Sequence, residues 1–355
     1  IRVFIGFSLI HFCARMRVVP LLIGLHLVAQ SAYGQSGPDT LVNRELEEVM
    51  VTATRTEREL GALPMPVTLV GRAQIKSIGS VRLQDVLTEQ TGLLVVPQVN
   101  GQGSGLQLQG FNPDYTLILL DGEPIIGRYT GSLELSRIAV GNIRQIEIVK
   151  GPSSSLYGSD ALAGVVNIIT ERPQPGFQMS LSTRYGANRT GDINGEVGFS
   201  NNRLSAYFFA NRFGTDGYDL SPEHFGNTVS PFRNSTLSAK VTYRATPATE
   251  LGISTRFFDE RQNLNFEVAS NGEQIRTSGN GFARDWNLNP TLTHRFSDRL
   301  KVTGRLYTTH YSTESFLNSE RDGSRYYSDS FEQSFTRPEA VAEYYVTPDQ
   351  VITAG

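Results

Sequence analysis

Two kinds of hydrophobic spacing divide this chain near Pro175. Before it, apolar residues come in short blocks. Residues 146–149 (Ile-Glu-Ile-Val) and 165–169 (Val-Val-Asn-Ile-Ile) are nearly continuous apolar runs, joined by a link rich in Gly, Pro and Ser. They read as two buried strands connected without a helix. The Gly151-Pro152 turn and the Tyr157-Gly158 pair supply backbone angles that bulky residues resist. Residues 73–78 and 81–89 carry helical spacing, and Gly92 stops the second. Residues 116–120 form an almost wholly apolar strand that ends in the turn Asp121-Gly122. Residues 47–175 therefore read as an α+β unit with a core of its own.

After Pro175 the spacing becomes strict alternation. Leu237, Ala239, Val241 and Tyr243 take every second place, and Ser238, Lys240, Thr242 and Arg244 take the others. Phe177, Met179 and Leu181 alternate in the same way, as do Trp286, Leu288 and Leu292. Strands are expected at 177–187, 191–200, 203–213, 233–245, 249–261, 281–295, 299–313 and 331–346. Soluble sandwich strands also alternate, but they average about five or six residues. The links favour a barrel. Short turns such as Asn201-Asn202 and Ser297-Asp298 alternate with long polar links at 214–232, 262–280 and 314–330. A membrane barrel places its turns at one end and its loops at the other. Eight strands enclose only side chains or one small ligand. The pattern is still running when a ninth strand begins at Gln350, so the barrel is expected to continue past residue 355.

The ends and the charge narrow the compartment. A start at Met16 gives a secretory signal: Arg17, an apolar core at 18–29 and the small-x-small ending Ala32-Tyr33-Gly34. That core is too short to span about 30 Å of hydrocarbon. Cys13, the only cysteine, precedes that start, and removing residues 1–34 takes the net charge from −3 to −6. An acidic chain without basic clusters argues against nucleic-acid binding. Catalytic chemistry finds no support. Gly101-Gln102-Gly103-Ser104-Gly105 is followed by strand-like residues rather than a helix, and the histidines after the signal, His224, His294 and His310, have no metal spacing. The expected protein is not an enzyme and carries no metal or cofactor.

The run IEIVKGPSSSLYGSDALAGVVNIIT at 146–170 resembles the closing part of the plug domain of TonB-dependent outer-membrane receptors. The resemblance covers 47–175 closely and the remainder by strand pattern. It implies a 22-stranded outer-membrane β-barrel with an N-terminal α+β plug, seen here for its first third. It divides the chain into a signal at 1–34, a periplasmic segment at 35–54, a plug at 55–175 and a partial barrel at 176–355. By this resemblance Glu48, Val49, Met50, Val51, Thr52 and Ala53 form the TonB box, with Asp39-Thr40-Leu41-Val42 as a competing segment. A β-prone hexamer near a terminus suits capture by strand addition. The plug's structural motif maps to Gln109, Gly110, Asp121, Gly122, Lys150, Gly151, Pro152, Tyr157, Gly158, Gly164 and Asn167. Plug loops facing outward place ligand contacts at Gln98, Asn100, Gln102, Ser104, Arg128 and Tyr129.

Two departures stand out. The family usually has arginine where this chain has Gln109 and Lys150, and those arginines commonly pair with barrel carboxylates. Gln109 cannot form an ion pair and Lys150 lacks the bidentate fork, so the plug is expected to be held differently. Ala163 also stands where glycine is usual. The implied function is TonB-powered import of a ferric siderophore by a monomer in the outer membrane of a Gram-negative bacterium. Its partners are TonB with its inner-membrane energising complex, the ligand and outer-membrane lipid. Cobalamin is the runner-up ligand and haem the third. From a different class, a passive barrel or adhesin is the rival.

Overall fold

The computed structural model describes residues 50–51, 58–59, 66–97, 104–129, 132–133, 135–151, 159–270, 272–347 and 350–355. The signal segment, most of the TonB-box segment, and Gln98, Asn100, Gln102, Pro152, Tyr157 and Gly158 lie outside them.

The first unit opens with the short pair β1 (Met50–Val51) and β2 (Arg58–Glu59). Then come β3 (Val67–Gly71), α1 (Arg72–Ile78), α2 (Leu83–Thr88), β4 (Leu93–Pro97) and β5 (Ser104–Leu108). These are followed by β6 (Thr116–Leu120), β7 (Glu123–Pro124), β8 (Arg128–Tyr129), β9 (Ser132–Leu133), β10 (Ile143–Lys150) and β11 (Gly164–Thr170). The main sheet runs β3-β10-β11-β6-β7, with β11 parallel to β6, and a smaller sheet runs β4-β5-β9-β8.

The two apolar runs are its interior strands. Successive side chains of a strand point to opposite faces. Val166 and Ile168 of β11 join one cluster with Ile146, Ile148 and the α2 residues Leu83, Val86 and Leu87. Val165 joins another with Leu117, Leu119 and Val149. Every residue of β11 is buried, which is why its sequence shows no polar alternation. Gly164 begins this strand at φ +144°, where a Cβ would run into the Val149 carbonyl oxygen and the Leu108 side chain. Only glycine fits there. Ala163, next to it, is buried. Its N–H donates to the Tyr115 carbonyl (2.9 Å) and its carbonyl accepts from Gly151 (3.0 Å), so the turn closes with alanine in place.

The second unit is one antiparallel sheet, each strand pairing with the next. Its strands are β12 (Gly176–Tyr185), β13 (Gly191–Ser200), β14 (Leu204–Thr215), β15 (Phe232–Thr246) and β16 (Thr249–Ser270). They continue with β17 (Glu273–Arg295), β18 (Leu300–Ser319), β19 (Arg325–Thr347) and β20 (Gln350–Ala354). Phe208 is 51% exposed and its neighbour Phe209 only 2%, so one face of this sheet covers the first unit and the other presents apolar side chains outward. That outward face repeats in Phe177, Leu237, Phe257, Trp286 and Leu306. A continuous apolar face of this kind suits lipid. Among the described residues no helix is long and apolar enough to cross a membrane.

Two of the expected long loops are corrected. Residues 262–280 and 314–330 are mostly strand: β16 and β17 pair from Thr249 with His294 up to Ser270 with Glu273, and β18 pairs with β19 up to Asn318. Their sequences hid the strands because the covered face mixes polar with apolar residues, Thr277, Ser315 and Ser319 beside Leu264 and Leu317, so hydrophobic alternation does not mark it. The link between β14 and β15 remains mostly irregular, with an isolated bridge between Tyr218 and Val229.

Candidate functional site

The contact between the first unit and the wall formed by the large sheet is polar and charged, and it is built from residues at the ends of short elements. Arg72 begins α1 and reaches Glu171 and Glu196 of β13, the latter at 3.2 Å. Glu196 also accepts from the Tyr207 hydroxyl of β14 (2.6 Å). Arg82 precedes α2 and donates to Asn234 (2.8 Å) and Asn211 (3.3 Å) of the wall, with its guanidinium 4.1 Å from the Phe213 ring centroid. Asn234 in turn donates to Glu260 (2.8 Å). Burial pushes the Arg82 guanidinium down to about 10, so it stays charged at neutral pH, with Asp192 and Glu260 opposing the shift.

Arg137 is the most enclosed of these cations. It lies wholly buried, 3.1 Å from Asp285 of β17, and donates to the Ile126 carbonyl. Asp285 is shared, since Arg256 of β16 sits 3.1 Å from the same oxygen and also donates to the Arg137 carbonyl (2.7 Å). The Tyr311 ring covers Arg137 at 4.6 Å and presses on Gly127, where a Cβ would strike it. Gly127 also donates its N–H to Gln333 (2.8 Å).

The hairpin of β6 and β7 supplies the opposite sign. Asp121 and Gly122 both have positive φ, 53° and 84°, the geometry of a tight two-residue turn. The Asp121 carboxylate accepts from the Thr170 backbone N–H and hydroxyl, each at 2.9 Å, and pairs with Lys240 of β15 at 2.8 Å. This residue is therefore a wall contact as well as a turn device. Glu123, only 3% exposed, meets Arg337 of β19 and Arg305 of β18 (3.3 Å). Burial pushes its carboxyl up from the ordinary value, and the two guanidiniums oppose that shift.

The expected motif positions fall into place differently. Gln109 is exposed at φ 54° and precedes Gly110, also at positive φ. Lys150 donates to the Thr91 carbonyl (2.9 Å), within its own unit. Neither reaches the wall among the described contacts. The cationic holding points are Arg72, Arg82 and Arg137, which the sequence reading missed. The available signal was charge at inward-facing strand positions, such as Arg256, Asp285 and Arg305, where a water-filled interior does not demand it. Asn167 is fully buried. It donates to Glu147 (3.1 Å) and accepts from the Gly122 N–H (3.1 Å), tying β11 to the hairpin turn.

Of the expected ligand contacts, Ser104 lies in β5 opposite Leu133 of β9, and Tyr129 lies in β8. The Arg128 guanidinium donates to the Pro113 (2.7 Å) and Thr116 carbonyls of its own unit, and burial lowers its basicity. Met50 and Val51 of the expected TonB box form β1.

Residues 59–165 match the TonB-dependent Receptor Plug Domain family. The fold also matches solved structures. FpvA of Pseudomonas aeruginosa, bound to a heterologous pyoverdine–iron complex, superposes with a TM-score of 0.64 at 16% identity, over 85% of this chain and 43% of that one. The siderophore receptor PiuA of Acinetobacter baumannii gives 0.62 at 13% identity, over 81% and 43%. A mutant of the ferric enterobactin receptor PfeA of P. aeruginosa, in complex with enterobactin, gives 0.51 at 16%, over 81% and 57%. The chain spans about half the length of these proteins.

Proposed function

With residues 59–165 a TonB-dependent receptor plug domain and the following strands carrying the wall fold of such receptors, we propose that this protein is the outer-membrane importer of a ferric siderophore in a Gram-negative bacterium, driven by TonB. The observation that carries this reading is the manner in which the plug meets the wall. A passive pore has no need of an independently cored domain held to its inner face by separate ion pairs at Arg72, Asp121, Glu123 and Arg137. Such contacts hold the domain in register and are discrete enough to be exchanged one at a time.

In this reading TonB adds a strand to residues 48–53, a segment whose Met50–Val51 already pairs as a strand with Arg58–Glu59. Ligand binds from outside on the loops at 98–104 and 128–129. Arg128 then fastens the outward loop to the plug body, so ligand contact there is passed to the 113–116 turn. No bond is made or broken in the ligand. The work comes from the inner membrane through TonB, and a monomer suffices.

Deleting residues 48–53 from the full-length receptor is the test. Uptake of radiolabelled ferric siderophore is expected to fall to background while surface binding persists. Uptake that survives the deletion would sink the TonB reading in favour of a passive barrel. Siderophore is favoured because, among the solved proteins of this fold named above, PiuA is a siderophore receptor, PfeA a ferric enterobactin receptor and FpvA is bound to a pyoverdine–iron complex. Binding of ferric siderophores, cobalamin and haem measured side by side on the full-length receptor separates the three cargoes.

A further inference from the structure

The outward face of the wall carries charge in an arrangement that lipid contact alone does not require. At the long-hairpin end of β14–β17, Arg212 stands opposite Ser235, Ser235 opposite Asp259, and Asp259 opposite Arg284. In the next outward row Arg233 lies directly opposite Arg261. The inward row between them holds Phe213, Asn234, Glu260 and Ala283, so the arginines are confined to the outer face. Like charges directly opposed across a sheet destabilise it, with Cβ atoms only about 5 Å apart.

Internal acids answer part of this charge. Asp216 pairs with Arg233 at 2.5 Å, and Asp259 with Arg284 at 3.0 Å. Arg212 donates to the Ser235 hydroxyl (2.5 Å) and Arg261 to the Asn280 side-chain carbonyl (3.3 Å), and neither has a carboxylate partner among the described residues. All four arginines are exposed. Three strand spacings separate Arg212 from Arg284, about 14 Å, so their long side chains converge on one headgroup-sized area.

Directly below lies an apolar groove of about 470 Å³ on the same outward face, lined by Met179, Val197, Phe208, Ala210, Leu237 and Phe257 among others. Ala210 is two residues from Arg212 on β14, and Leu237 is two from Ser235 on β15, so the groove opens straight onto the arginine rows. A cationic patch set on an apolar furrow has the polarity of an anionic amphiphile.

We propose that this surface is a binding site for one phosphorylated lipid of the surrounding leaflet. An acyl chain fills the groove over Ala210, and the phosphate accepts from Arg212 and Arg261. The guanidinium fork suits phosphate oxygens, and the edge of the hydrocarbon strengthens the attraction by lowering the local dielectric. The phosphate also supplies the counter-charge that Arg261, set directly opposite Arg233, lacks. This inference rests on the membrane-barrel reading of the wall. Its test involves no transport, so failure of the lipid site and failure of the uptake proposal are separately visible.

The full-length receptor is reconstituted into phosphatidylcholine nanodiscs doped with lipid A, a diphosphorylated glycolipid, and retained lipid is counted by native mass spectrometry. The Arg212→Ala/Arg261→Ala double variant is expected to retain roughly tenfold less lipid A, as loss of charge-assisted bonds implies. Ala210→Phe, which fills the groove, is expected to reduce retention with the arginines intact. Heat-modifiable gel mobility confirms that each variant is folded. Equal lipid A retention by wild type and the double variant would overturn the site. Displacement by inorganic phosphate, together with no effect of Ala210→Phe, would show a free-phosphate site and overturn the lipid assignment.

Discussion

Asp285 bears two guanidiniums on one buried carboxylate, Arg137 from the plug and Arg256 from the wall, each at 3.1 Å. Buried pairs contribute modestly when complete, but removing one partner strands the other charge. Asp285→Asn leaves two desolvated cations facing each other, and a cost of about 3–5 kcal/mol is expected. Denaturant unfolding of the full-length receptor in detergent measures it. The exposed pair Arg276–Glu267, 3.4 Å apart, is the contrast: Glu267→Gln should cost less than about 1 kcal/mol. Gly164 sets a different kind of constraint. Gly164→Ala meets both a disfavoured φ and the Val149 carbonyl, and a loss of at least ~2 kcal/mol of plug stability is expected. Faster proteolysis inside residues 135–170, with the wall strands still intact, would report it.

Among elements, β16–β17 and β18–β19 decide how far the wall projects. Their hairpins remain laddered through residues whose sequence reads as loop, with Phe266 opposite Thr277 and Phe316 opposite Ser328. Aromatic and cationic side chains brace them: Arg325 lies 4.3 Å from the Phe316 ring centroid and Arg276 lies 5.3 Å from that of Phe225. Amides at 262–270 and 314–319 are therefore expected to exchange with deuterium far more slowly than those at 219–227, where the link has little strand pairing. Hydrogen exchange with mass spectrometry on the full-length receptor reads this directly, and equal exchange in the three segments would mean that the hairpins are loops. The same element scale explains the plug's interior: β10 and β11 are paired on both sides, and their buried centres are mostly apolar, with Glu147 and Asn167 hydrogen-bonded to each other where they are not.

At the scale of the molecule, the plug is joined to the wall through side chains at separate points: Arg72 and Arg82 on one side, Arg137 near β16–β17, and Asp121 and Glu123 toward β15, β18 and β19. If transport requires the plug to move, one covalent tether in this set should stop it. Asn142 donates to Ser238 across the contact at 3.3 Å, and the chain's only cysteine is Cys13. The double variant Asn142→Cys/Ser238→Cys is expected to abolish siderophore uptake when oxidised and to recover it on reduction. Surface binding should be unchanged in both states. Uptake that continues in a receptor shown to be cross-linked would mean that this part of the plug stays in place during transport.

Much of this architecture was written in local spacing. The near-continuous runs at 146–149 and 165–169, the apolar block Thr116–Leu120 and the strict alternation after Pro175 each state what the two faces of a strand will touch, and burial is a local demand on every residue. Alternation fell silent in the hairpin extensions, where the covered face is built from Thr277, Ser315 and Ser319 as well as Leu264 and Leu317, so burial there leaves no hydrophobic pattern. The holding of the plug was legible only as a suspicion, raised by Gln109 and Lys150. Which charges meet depends on contacts between residues about 120 to more than 200 positions apart, such as Arg72 with Glu196 and Glu123 with Arg337. The sequence by itself determined the elements and the two-part plan. Only the tertiary structure decided the pairings, because long side chains at an interface find partners through the placement of whole strands, and no spacing along the chain encodes that placement.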